Sequence, residues 1–124
     1  MTDIQLITDL KETRRQLEVR GRCVADLVSQ DGKVCLDGAI LAATVGEVTN
    51  TVEDYNKLCD DSRPAAVTRA LYEQIPDDHP SLIKVGFCRP YIAVFHFNDD
   101  AQTTDEDCFA LIDKALADLG GLVT

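Results

Sequence analysis

No apolar run in this chain approaches the roughly 18 residues that a membrane-spanning helix needs. The start, Met1-Thr2-Asp3-Ile4, lacks the basic region and apolar stretch of a secretory signal, so a soluble cytoplasmic protein is expected. The five cysteines, Cys23, Cys35, Cys59, Cys88 and Cys108, form no C-x-x-C pair. Being odd in number and widely spaced, they read as buried reduced thiols rather than as a disulfide framework. Neither of the two histidines, His79 and His96, stands at zinc-ligand spacing from another His or Cys. There is no glycine-rich loop to cradle a phosphate, and with these absences no metal and no cofactor is expected. Repeats, low-complexity segments and linkers are lacking too, so the 124 residues are expected to form one domain.

What is present is acid. Against 12 Lys and Arg stand 22 Asp and Glu, a formal net charge of -10. Nucleic-acid affinity comes largely from Lys and Arg at phosphates, so direct DNA or RNA binding is disfavoured, while a basic protein partner suits the charge. The signs are segregated: Lys11, Arg14, Arg15, Arg20 and Arg22 lie near the N-terminus. Asp99, Asp100, Asp105, Glu106, Asp107 and Asp113 follow one another with no Lys or Arg between Arg89 and Lys114. The two ends can complement each other within one fold or across a homodimer; a solvated face is the plainer explanation of the acidic run.

The apolar pattern is mostly helical. Leu6, Leu10, Thr13 and Leu17 fall on one stripe of a helix from about Asp3 to Val19, and Gly21 ends it. Gln30-Asp31-Gly32-Lys33 is a turn signal within Arg22 to Leu36, read as a loop or small hairpin. Leu36 to Val45 is almost wholly apolar and rich in small residues, which predicts a central buried helix stopped by Gly46. Thr51 opens a short third helix; Ser62-Arg63-Pro64 opens a fourth with Val67, Ala70, Leu71 and Ile75 inward and Pro76 at its end. Pro76 to Pro90 reads as an irregular, exposed connection. Tyr91-Ile92-Ala93-Val94-Phe95-His96-Phe97, bounded by Pro90 and Asn98-Asp99-Asp100, carries the strongest strand signal. Thr104-Asp105-Glu106-Asp107 opens a last helix with Cys108, Phe109, Ile112, Ala115, Leu116 and Leu119 buried and Gly120-Gly121 after it. The expected fold is mainly α, with α+β open: about five helices around a buried Ala-rich helix, plus a minor strand or hairpin.

Three constellations could carry function. Cys35 precedes a helix whose dipole favours a thiolate, and His96 with Asn98 or Asp99 could supply base and orienter for a hydrolase or transferase. Against this, both Cys35 and His96 are flanked by apolar residues, and no nucleophile motif surrounds Cys35. Asn98-Asp99-Asp100 ahead of Thr103 and Thr104 offers oxygen ligands but lacks EF-hand spacing, so a turn and helix cap is the plainer account. The carboxylates of Asp99, Asp100, Asp105 and Glu106 could face a basic host protein, or mimic nucleic acid if regularly spaced.

Two segments also carry a resemblance. Cys35-Leu36-Asp37-Gly38-Ala39-Ile40-Leu41-Ala42-Ala43 is similar to a C-x-x-G-A-I-x-x-A helix. Phe97-Asn98-Asp99, then Thr103-Thr104 and Leu111-Ile112-Asp113-Lys114-Ala115, is similar to an aromatic-Asn-Asp, Thr, Leu-Asp-x-Ala pattern. Together they resemble an uncharacterised family of small proteins from actinobacteria and their bacteriophages, in which Trp usually precedes Asn-Asp. The resemblance implies such a source and carries no known activity or mechanism. A short acidic phage protein under that implication is expected to modulate a host protein.

Overall fold

The computed structural model describes residues 3–83 and 90–120. The first helix, α1 (Asp3–Arg20), buries the stripe its sequence announces: Leu6, Leu10, Thr13 and Leu17 all lie in the interior. Removing each leucine from water contributes about 1.5–3 kcal/mol. Asp9 shares that buried face because Arg63 grips both its oxygens, at 2.6 and 3.0 Å. Gly21 takes a left-handed φ of 88° and donates its N–H to the Leu17 carbonyl, which stops the helix where expected.

Residues 21–35 then loop back. The hairpin expectation reduces to two isolated bridges, Arg22 with Val34 and Val28 with Val34, around a turn closed by Ser29 and Lys33. The next helix, α2 (Leu36–Thr44), is the central one: Leu36 through Leu41 are buried, and it packs on α1 and on three later helices. Those are α3 (Val52–Asp60), capped by Thr51; α4 (Ser62–Tyr72), with Pro64 in its first turn; and α6 (Pro90–Asp99). Asp61 occupies the N-cap position of α4, one residue before the expected Ser62. Between Pro76 and Pro90 the described part is a turn and a single helical turn, α5 (Pro80–Ile83); the rest of that expected loop, 84–89, lies outside the described residues.

The strand expected over Tyr91–Phe97 is a helix. Pro90 bounds a strand and equally starts a helix, because its fixed φ and missing N–H suit the first helical position. Aromatic and β-branched composition favours a strand only where a sheet receives it. Here Ala93, Val94, Phe97 and Asn98 recur at helical spacing, and that face packs against α2 and α4. Tertiary burial overrides propensity.

The last helix, α7 (Asp105–Asp118), starts with a full capping box: Thr104 accepts from the Asp107 N–H, and the Asp107 carboxylate accepts from the Thr104 N–H. Cys108, Ile112, Ala115 and Leu116 are buried as expected, while Phe109 is half-buried beneath the Arg14 guanidinium, 4.8 Å from its ring centre. Among the described residues the fold is thus five helices of nine residues or more and one short turn around a buried Ala-rich helix, as the sequence led us to expect except for the strand, which is one of the five.

Candidate functional site

The two resemblance motifs, far apart in sequence, meet at one junction. There the 21–35 loop docks onto the start of α2 and the end of α6. Asn98 is its centre and is fully buried. Its Oδ1 accepts from the Leu36 N–H at 3.1 Å, and its Nδ2 donates to the Cys23 carbonyl and to Asp99 Oδ1, both at 2.9 Å. One amide therefore satisfies an otherwise orphaned donor at the N-terminus of α2 and a carbonyl of the loop. Asp99 extends the clamp, its Oδ2 accepting from the Ala25 N–H at 3.0 Å. Ala25 has φ 73°, the left-handed region that costs a non-glycine residue about 1–2 kcal/mol.

Three more residues lock the loop. Arg22 donates to the Asn98 and Thr103 carbonyls at 2.5 and 3.1 Å and pairs with Asp105 at 2.7 Å. Asn50 accepts from the N–H groups of Leu27 and Val28 and donates to the Val28 carbonyl. Gly38 lets the loop come close: a Cβ there would sit 1.9 Å from the Leu27 carbonyl oxygen, far inside contact distance. So fastened, the loop presents Val24, 54% exposed, beside the exposed Ala25 and Asp26.

Cys35 lies inside this junction as the N-cap of α2. Its Sγ accepts from the Gly38 N–H at 3.3 Å, and the residue has no solvent exposure. Burial, reinforced by Asp37, drives its thiol well above the usual range, opposite to the thiolate that the helix dipole would favour. Burial also pushes the Cys108 thiol up to about 12 and raises that of half-buried Cys23. Cys35, Asn98 and Asp99 are brought together, whereas His96 points from the exposed side of α6. The nucleophile and base of the sequence reading thus lie in opposite surroundings: one is a buried cap and the other faces water.

The four carboxylates expected to meet a partner divide in the same way. Asp99 holds Ala25, Asp105 pairs with Arg22, and Asp100 closes a turn by accepting from the Gln102 N–H at 2.8 Å. Glu106 is exposed and forms no ion pair among the described residues. Further along α7, Asp113 pairs with Arg14 at 2.8 Å. Two of the basic residues near the N-terminus are therefore matched to the acidic segment within the fold. Among the described residues no cluster of three His, Cys, Asp or Glu could hold a metal, and no helix is long and apolar enough to cross a membrane.

One residue at the junction stands apart. Asp37, in the first turn of α2, is fully buried, and neither carboxylate oxygen has a hydrogen bond among the described residues. Burial first, then the neighbouring Asp99 charge, raises its pKa well above the ordinary carboxyl range and favours the neutral acid. Sequence reasoning gave Asp37, Arg22 and Asn50 no role at this junction. A signal existed for Asp37, the lone acid in the apolar stretch Leu36–Val45; no local pattern marks the other two, whose partners are distant in the chain.

The class of protein is a helical domain whose two motif segments serve to fasten one loop. The chain belongs to a family of unknown function, DUF6197, whose model matches residues 1–118. No curated protein and no solved structure matches the chain.

Proposed function

We propose that this protein is an accessory protein of actinobacterial or phage origin that binds a host protein in the cytoplasm through the 22–34 loop. One observation carries the reading: Ala25 is held in a left-handed conformation at the tip of a loop that Asn98, Asp99, Asn50 and Arg22 all fasten. Backbone strain of about 1–3 kcal/mol persists where the surroundings over-determine it, and it concentrates at functional sites. An immobilised loop also loses little entropy on binding. The tip offers an apolar side chain, Val24, beside the Asp26 carboxylate, on a chain of net charge -10. The matching partner surface is an apolar patch rimmed by Lys and Arg. Charge pairing inside the fold removes Asp99, Asp105 and Asp113 from a regular carboxylate array, which favours this reading over nucleic-acid mimicry.

Affinity capture from an actinobacterial lysate tests it, comparing the native protein with Val24→Lys and Asp26→Lys. A protein retained by the native chain, released by salt and lost in both variants supports the proposal. Equal capture by all three, or no protein retained by the native chain, overturns it.

A further inference from the structure

A cavity of about 320 Å³ opens between the 76–79 turn, the end of α6 and the face of α7 that carries Asp107, Ala110, Leu111 and Lys114. Its size falls at the lower end of small-molecule sites, which span roughly 300–1,000 Å³. Its apolar lining combines the His79 and Phe97 rings, whose centroids stand 4.8 Å apart at 42°, with the aliphatic Leu111 and Ala110. An aromatic lining favours the face and edge of a planar ring over a puckered or branched body.

The charges select further. Asp107 already accepts from the Thr104 N–H in the capping box and lies in the first turn of α7, where the helix dipole offsets its charge. Lys114, two turns along the same face, is exposed and forms no ion pair among the described residues. In a chain with 22 acidic side chains, that leaves an uncommitted ammonium beside an apolar, aromatic cavity, with the exposed Gln102 at its edge. We infer that this cavity is a binding site for a small planar aromatic anion, its ring against Phe97 and His79 and its carboxylate at Lys114. The site is separate from the loop tip, although Phe97 directly precedes the clamp residues Asn98 and Asp99.

Benzoate serves as the probe, titrated into the full chain while backbone amide resonances are followed by NMR. Benzylammonium and cyclohexanecarboxylate test the charge and the ring. Saturable shifts confined to Gln102, Thr103, Ala110 and Lys114 are expected, with affinity weaker by up to about fivefold in Lys114→Gln, the loss of one exposed ion pair. Binding should vanish in Ala110→Trp, which fills the cavity from an exposed position, and both comparison ligands should bind more weakly. Scattered or non-saturating shifts, unchanged affinity in Lys114→Gln, or equal binding of cyclohexanecarboxylate would each overturn the inference.

Discussion

Replacing Asp37 by asparagine should change how stability depends on pH more than it changes stability itself. In the unfolded chain an aspartate titrates near its ordinary value of about 3.9. In the native protein, burial and the charge of Asp99 raise it well above that, so the folded chain keeps a proton that the unfolded chain has lost. Between the two values the unfolded state binds one proton fewer, and unfolding free energy falls by about 1.4 kcal/mol for each pH unit gained. The contribution is fully present in acid and is lost as pH rises toward the raised native value. The asparagine side chain cannot ionise, has nearly the same shape and leaves Cys35 and Asp99 in place. Urea melts of both proteins at unit pH intervals from about 4 upward would give the difference between them. That difference should grow in favour of Asp37→Asn by about 1.4 kcal/mol per unit and then level off. Parallel profiles would refute the reasoning, because they would mean that Asp37 reaches water or a cation partner in solution.

Other outcomes follow from the same junction. Gly38→Ala should destabilise by at least about 1–3 kcal/mol in the same melts, since the added carbon meets backbone rather than a yielding side chain. Asn98→Ala strands the buried Leu36 N–H and the Cys23 carbonyl and should cost about 1–3 kcal/mol for each group left unsatisfied. Ala25→Gly relieves the left-handed strain but frees the unfolded chain, so its net effect on melting should stay within about 1 kcal/mol. With iodoacetamide at neutral pH and mass spectrometry as the readout, half-buried Cys23 should be alkylated well before Cys35 and Cys108.

Much of the architecture was legible because it is written locally. The α1 stripe, the apolar run of α2 and the hydroxyl-plus-acid start of α7 each report one element's own periodicity and caps, and each proved accurate. Tyr91–Phe97 misled because its residue types suit a strand, while the deciding fact, a helical face closing over α2 and α4, is tertiary. The same limit hid the site. Asn98 and Asp99 were visible as a turn-like Asn-Asp, but their work is done on Leu36, Cys23 and Ala25, more than sixty positions earlier. That the acidic run meets the basic N-terminal segment within the fold was one alternative the sequence left open; which residues pair, Arg14 with Asp113 and Arg22 with Asp105, is tertiary.

On the proposed reading, Asp99 and Asn98 hold the loop tip rigid for presentation to a partner. Backbone 15N relaxation tests the rigidity directly: Val24, Ala25 and Asp26 should show order parameters of about 0.85, like the helices, falling in Asp99→Ala; values below about 0.6 in the native protein would contradict the account.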